Sequence, residues 1–297
     1  MMTARNAATS LRRRVRRATP LLTMVSPVTV WMVILIAVPL VYVLVISFCS
    51  TDESHHIVFS FTVQNYAKLF DPTLLSIYGN SLLIAGLSCI ISILVGYPFA
   101  TIMANSSPFR RTLMMAFLML PFWTNSLIRL YGWRSILGNN GFINSALQEL
   151  GLITQPLELL YNHFAVILGM VYVLLPFMVL PIYTVILKLD HSLLEAASDL
   201  GARPARRFLK VTLPLTSSGI FAGSIMVFIP ALGYFFVSNL MGGGTTQLIG
   251  NVIARQFKEA FNWPFGAALS IVLIVITLVL VRAYTKTGGK MDDLGAM

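Results

Sequence analysis

The sequence predicts an all-α polytopic membrane protein, and three observations carry that expectation. Of its 297 residues, 57% are hydrophobic and only 11% charged, where a soluble domain carries about 25% charged residues. The mean hydropathy is +0.80. The apolar residues gather into runs near the ~20 residues needed to cross about 30 Å of hydrocarbon at 1.5 Å per residue, and the basic residues flank those runs. Six transmembrane helices follow, at about 25–48, 76–104, 112–133, 161–187, 213–238 and 265–285.

The first span opens with the run from Val28 to Phe48. That is too long for a signal-peptide core, and no small-x-small cleavage site follows it, so it stays in the mature chain as a helix. The second carries Ser88, Ser92, Gly96, Ala100 and Ala104 at every fourth position. Small residues in one stripe let a neighbouring helix approach closely where no hydrophobic force drives packing; the partner is another helix of this chain or a dimer seam. Pro98 in the same helix is expected to bend it. Pro39, Pro121, Pro176 and Pro181 sit similarly in other spans, where neighbours or waters can satisfy the freed carbonyls.

Sorting the basic residues fixes an orientation. One side takes Arg5, Arg12, Arg13, Arg14, Arg16 and Arg17, then Arg110 and Arg111, then Lys188, Arg203, Arg206, Arg207 and Lys210, then Arg282, Lys286 and Lys290. The other side keeps Lys68, Arg129, Arg134, Arg255 and Lys258. By the positive-inside rule both termini and the loop 188–212 are cytoplasmic. The chain then divides into a basic N-terminal arm, 1–24, a six-helix membrane domain, 25–286, and a cytoplasmic tail, 287–297. The arm is a topology determinant, or alternatively a contact for anionic lipid or a partner. A net charge of +10 spread in this way, with no patch of interleaved aromatics, argues against nucleic acid. Cys49, Cys89 and the four histidines offer neither a disulfide framework nor metal-ligand spacing, so no metal is expected.

The polar island after the fourth span carries the most information. Ser192 and Glu195 have the spacing of a capping box, with the Ser192 hydroxyl accepting from the Glu195 N–H and the carboxylate reaching back. A short helix then runs to Leu200, where Gly201 supplies the left-handed residue that ends it. Pro204 suits the first turn of a second helix, and Pro214 marks the step into the fifth span. Capping its own helix is the plain role for Glu195; facing a basic group of a partner is the other. A helix-turn-helix of this order suits a chain that receives a push from a soluble partner.

Glu195-Ala196-Ala197, three residues, Gly201 and then Leu213-Pro214 resemble the EAA loop of bacterial ABC importer permeases, and the six-span layout with the loop between spans four and five is similar to theirs. The resemblance implies a type I permease fold and a loop docked in a cleft of a cytoplasmic ATPase, whose rigid-body movement drives the membrane helices. The implied coupling residues are Ser192, Glu195, Ala196, Ala197, Asp199, Gly201, Arg203 and Pro214. The implied partners are a homologous second permease, two copies of the ATPase and a periplasmic substrate-binding protein, in the bacterial inner membrane. ATP and Mg²⁺ belong to the ATPase. In keeping with that, the chain has no GxxxxGK[ST] phosphate loop; Gly242-Gly243-Gly244-Thr245-Thr246 lacks the lysine and reads as a flexible extracytoplasmic turn.

A narrower resemblance rests on Tyr131-Gly132-Trp133-Arg134, Leu137-Gly138-Asn139-Asn140-Gly141-Phe142-Ile143-Asn144, Gly250-Asn251-Val252-Ile253 and Asn262-Trp263-Pro264-Phe265-Gly266. These are similar to the spermidine/putrescine permeases, in particular the first of their two paralogous membrane subunits. Related permeases for thiosulfate, iron or an aminophosphonate share the layout and stay open as alternatives. An ion-gradient carrier is a further one, although no Asp or Glu lies well inside a span, where such carriers place them. Without intramembrane acids, a polycation would follow aromatic faces and amide oxygens, each ring contributing roughly 0.5–2 kcal/mol. The candidates are Trp123, Asn125, Ser126, Tyr131, Tyr234, Phe235, Phe236 and Asn239, against an interfacial aromatic belt or plain packing as their role. Outer-loop acids (Asp52, Glu53, Asp71, Glu149, Glu158, Glu259) would draw cations to the entrance. Arg129 either snorkels to the interface or braces an extracytoplasmic gate by pairing with a loop acid or carbonyl.

Overall fold

The computed structural model describes residues 3–52 and 54–286, with side chains over 25–52 and 54–283. The side chains of the N-terminal arm and of Lys286, the acid Glu53, and the tail 287–297 with Lys290 lie outside the described residues.

Among the described residues, four helices are long and apolar enough to cross a membrane, or up to six if each of two bent pairs is one span. Helix α1 runs over Thr3–Ser47, so the backbone of the predicted arm continues the first span as helix. A two-stranded hairpin follows, β1 (Ser50–Thr51) and β2 (Ile57–Val58), with Ser50 opposite Val58. It is held by Asn65 of α2 (Gln64–Ala67), whose buried amide donates to the Ser47 and Cys49 carbonyls at 3.1 and 2.8 Å. Helix α3 spans Pro72–Ala104; Asp71 caps it by accepting from the Thr73 N–H, and Pro72 takes the first turn, where a missing N–H costs nothing. It passes through Pro98 as one helix. Helix α7 (His163–Leu187) contains Pro176 and Pro181 without interruption, and α14 (Trp263–Lys286) closes the chain. These three agree closely with the second, fourth and sixth predicted spans.

The third and fifth spans are not straight helices. Helix α4 (Pro108–Met119) tightens into a 3₁₀ turn, Leu120–Trp123, and the chain restarts in α5 (Ser126–Leu137) and α6 (Phe142–Glu149), the two limbs meeting at 97°. Thr124 is extended and the Asn125 side chain caps α5 by accepting from the Leu127 N–H at 2.9 Å. Pro121 denies the preceding turn a hydrogen bond just where Asn125 offers a new start, so breaking costs less than continuing. In the fifth region α10 (Leu213–Leu215) meets α11 (Ser217–Gly233) at a 65° bend, and a second break at Tyr234 separates α11 from α12 (Phe235–Gly242). Helix α13 (Ile249–Lys258) then packs against α12 and α14.

The core lies where α3, α7 and α11 meet. The predicted small stripe on α3 is buried throughout, and a Cβ on Gly96 would sit 3.2 Å from Met178 Cγ and 3.3 Å from Val179 Cγ2. The stripe therefore serves packing within the chain, against α7. A second close approach was not anticipated. Gly219 and Gly223, one turn apart on α11, let that helix press on α7; a Cβ would meet the Pro181 carbonyl at 2.9 Å and Met178 Sδ at 2.8 Å respectively. In lipid, such contacts are what hold helices together. Much of the surface of α1 stays uncovered, and α1 is seated mainly on α14.

Candidate functional site

Between the fourth apolar helix and the bent fifth region, the chain forms a helix-turn-helix. Helix α8 covers His191–Asp199. Its cap differs from the predicted box: Asp190, not Ser192, is the N-cap, its carboxylate accepting from the Ser192 N–H at 2.9 Å. Ser192 thus lies inside the first turn and cannot serve as cap to Glu195. Hydrogen bonds from Ser192 hold the Asp190 carboxyl below its ordinary 3.8, with His191 adding to the effect. That charge also suits the positive end of a helix.

The helix stops as expected. Gly201 has φ +77°, and the Ala202 N–H returns to the Ala197 carbonyl at 3.1 Å, closing the last turn. Arg203 then holds the N-cap position of α9 (Pro204–Arg207) in extended geometry without a side-chain cap, and Pro204 takes the first turn. One widened π turn, Phe208–Thr212, leads into α10, which contains Pro214.

Three contacts make this segment one body rooted in the bundle. Arg207 Nη1 donates to Ser198 Oγ at 2.9 Å, tying the second helix to the first. At the root, the Tyr97 hydroxyl on α3 shares a buried hydrogen bond of 2.9 Å with Thr216 Oγ1, at the 65° bend. The Tyr97 ring also meets Phe208 edge-on, with centroids 5.4 Å apart. A displacement of α8 therefore has a short path through packed groups into α3 and α11. The outer side of α8 has no cover: Leu193, Ala196 and Leu200 are exposed, Leu200 to 88%. Ala197 is half-buried, and Glu195 and Asp199 are exposed with no ion pair among the described residues. Exposed apolar positions suit a contact surface, while Glu195 and Asp199 line the cleft between α8, α9 and α3.

At the bends, the candidate path residues do not form one lining. Trp123, 91% exposed, and Tyr131, 53% exposed, project from the broken third region, while Asn125 is spent on its cap and Ser126 is half-buried behind it. Around the second break, Tyr234 is half-buried and Phe235 packs on the exposed Phe236 with ring centroids 4.0 Å apart. Asn239 accepts from Asn251 Nδ2 at 2.5 Å, and Asn251 also caps α13 by accepting from the Leu248 N–H.

Arg129 turns to two aromatic rings instead of the acid or carbonyl a gate brace needs. Its guanidinium carbon sits 5.2 Å from the Phe122 ring centroid and 5.7 Å from that of Tyr172. Nε and Nη1 are shut off from solvent and have no hydrogen-bond partner. Among the described residues it reaches no loop acid and no carbonyl, because the bend folds Phe122 back beside it. Phe122 and Tyr172 were missed in the sequence, where nothing but the prolines Pro121 and Pro176 nearby hinted at them.

The motifs similar to the polyamine permeases act as joints. Gly141 starts α6 so close to the end of α5 that a Cβ would collide with the Ser135 carbonyl oxygen. Buried Asn144 bonds the Gly138 and Leu157 carbonyls and the Leu157 N–H. Gly250 sets the start of α13 against the Gly233 carbonyl. Asn262 caps α14, accepting from the Phe265 N–H, and receives Thr51 Oγ1 at 3.2 Å. The glycine-rich turn after α12 is pinned instead of flexible. Gly243, at φ +55°, leaves no room for a Cβ beside the Tyr161 ring, and Thr245 Oγ1 donates to the Tyr161 carbonyl at 2.7 Å.

A bent-span bundle with such a rooted helix-turn-helix is the fold of a type I ABC importer permease. A subunit of the bacterial importer of the acidic polysaccharide alginate superposes with a TM-score of 0.75 at 18% identity, covering 94% of this chain and 98% of that one. The same transporter in complex with an alginate pentasaccharide-bound periplasmic protein gives 0.72 at 18% identity, over 92% and 94% of the two chains. Residues 96–287 match the family described as binding-protein-dependent transport system inner membrane component, and the chain belongs to that family of multi-pass inner-membrane permeases. It is similar to the spermidine/putrescine transport system permease protein PotB of Haemophilus influenzae, 45% identical over 256 residues, covering 86% of this chain and 90% of the relative.

Proposed function

We propose that this chain is the membrane subunit through which an ATP-driven importer carries polyamines, spermidine and putrescine, from periplasm to cytoplasm. The observation that carries the coupling half is the rooted helix-turn-helix with the uncovered outer side of α8. Its docking residues are Ser192, Glu195, Ala196, Ala197 and Asp199 on α8, Gly201 and Arg203 at the turn, and Pro214 at the return into the bundle. The ATP and Mg²⁺ belong to two ATPase subunits, and this chain itself performs no catalysis. A homologous second permease completes the path, a periplasmic binding protein delivers the solute, and both termini face the cytoplasm. The coupling segment 188–212 sits within the membrane domain 25–286.

The solute half rests on the 45% identity to the Haemophilus permease and is consistent with a path without intramembrane acids. No Asp or Glu occurs in α3, α7, α11 or α14. Aromatic faces are left to guide ammonium groups by roughly 0.5–2 kcal/mol each, enough to steer without trapping. Tight recognition then belongs to the binding protein. In cells whose own polyamine uptake is deleted, the assembled transporter restores uptake of labelled putrescine and spermidine but not of thiosulfate, iron or an aminophosphonate. Uptake of one of those solutes in place of putrescine overturns the solute assignment. Uptake that continues without the ATPase overturns the ATP-driven one.

A further inference from the structure

We infer that Phe122 and Tyr172 form a cation cage, filled by Arg129 in the state seen here and by an ammonium group of the transported solute when the bend opens. The inference rests on the polyamine reading above and adds to it a site and an exchange.

The five basic residues expected on the outer side are all engaged. Arg255 pairs with Glu259 at 3.8 Å, and the other four lie over aromatic rings: Lys68 over Phe265, Arg134 over Tyr161, Lys258 over Phe235 and Arg129 over Phe122 and Tyr172. Arg129 differs from the rest in two ways. It meets two rings, and two of its nitrogens are buried with nothing to bond. Buried N–H groups of a charged residue normally find acceptors, and leaving them bare is unfavourable. What compensates here is the pair of ring faces, a soft attraction a second cation can match.

The rings themselves are fixed. Phe122 stands edge-on to Phe177 with centroids 5.5 Å apart, and Trp133 meets Tyr172 edge-on at 5.6 Å. Phe122 belongs to the 3₁₀ turn before the 97° bend, Arg129 to the helix after it, and Tyr172 to α7. A change in the bend therefore carries Arg129 away from the rings, whereas the receiving site on Phe122 and Tyr172 is already shaped for a cation. An alkylammonium group, compact and free of a tether, fits the same two faces. Arg129 thereby acts as a resident cation that keeps the cage closed until solute arrives. Removing it lets solute bind more readily.

The test uses the assembled transporter in proteoliposomes without the binding protein and measures ATPase rate against putrescine concentration. Arg129→Met is expected to lower the half-saturating concentration about tenfold or more, Arg129→Lys to stay near the parent, and Arg129→Met with Phe122→Leu to lose the gain. With Arg129 in place, Tyr172→Phe keeps a ring and is expected to behave as the parent, and Tyr172→Leu to raise the half-saturating concentration severalfold at equal protein. A merely structural Arg129 would lower the maximal rate without moving the concentration dependence, and that pattern overturns the cage, as does a gain that survives loss of Phe122. Should Arg129→Met fail to assemble, the Tyr172 pair decides, equal effects of Phe and Leu overturning the proposal. A parent that ignores putrescine here yet imports it in cells with its binding protein overturns the cage alone, as does a responsive parent with unresponsive variants; a parent that also imports none in cells overturns the polyamine reading and the cage with it.

Discussion

Glu195→Arg cuts ATP-driven uptake at least tenfold while the protein reaches the membrane in parent amounts. The side chain is exposed and makes no ion pair among the described residues, so folding loses little by the change. On the proposed docking, what changes is the charge offered to the ATPase. Reversing a charge at a close contact commonly costs more than the 1.4 kcal/mol that makes a factor of ten. Gly201→Val reaches the same end by another route, because its φ of +77° is one an L-residue adopts only at a cost of about 1–2 kcal/mol. There the turn reshapes and α8 tilts out of register with its cleft. In both variants the ATPase keeps hydrolysing ATP while uptake falls; equal loss of both activities contradicts docking through α8. Tyr97→Phe is the internal counterpart. It removes the hydrogen bond to Thr216 but keeps the ring against Phe208, so it weakens coupling without disturbing docking.

Gly250→Val is the second large effect, and it is one of stability. A Cβ at this position would stand 2.6 Å from the Gly233 carbonyl oxygen and 2.9 Å from its carbon, both backbone atoms that cannot turn aside. Overpacking of this kind costs about 1–3 kcal/mol or more. It falls on the joint where α11 ends and α12 begins, which Asn251 also holds through the Phe235 carbonyl at 3.3 Å. The purified protein should lose several degrees of thermal stability, with less of it in the membrane. Gly233→Ala is the control, since a Cβ there meets nothing within 4 Å. Near-parent stability for Gly250→Val, or equal loss for both glycines, would show that α13 does not clamp the break.

The unbroken spans were legible because hydrophobic length alone decides them: α3, α7 and α14 are long apolar runs, and the internal prolines of α3 and α7 are carried without a break. Proline content could not tell these from the broken third region. Pro98 and Pro121 look alike in sequence, and only Asn125, ready to cap a new helix, separates them. The capping box failed for a similarly local reason. Ser192 and Glu195 have the right spacing, but Asp190 offers a carboxylate two residues earlier and takes the cap. The helix-turn-helix as a unit was readable, since Gly201 and Pro204 act through backbone geometry that any context must respect. Its roots at Tyr97 and Thr216, and the ring pair around Arg129, join residues far apart in sequence and leave no periodic trace.

Leu200→Cys provides the most direct test of docking. The native thiols of Cys49 and Cys89 are buried, so the introduced thiol, at a position 88% exposed, is the one a membrane-impermeant maleimide reaches from the side the positive-inside rule makes cytoplasmic. In inverted membrane vesicles lacking the ATPase the label is expected to attach rapidly. With the ATPase assembled, attachment is expected to slow at least tenfold. Equal labelling rates in the two membranes would mean that nothing covers α8, and that force enters this permease elsewhere.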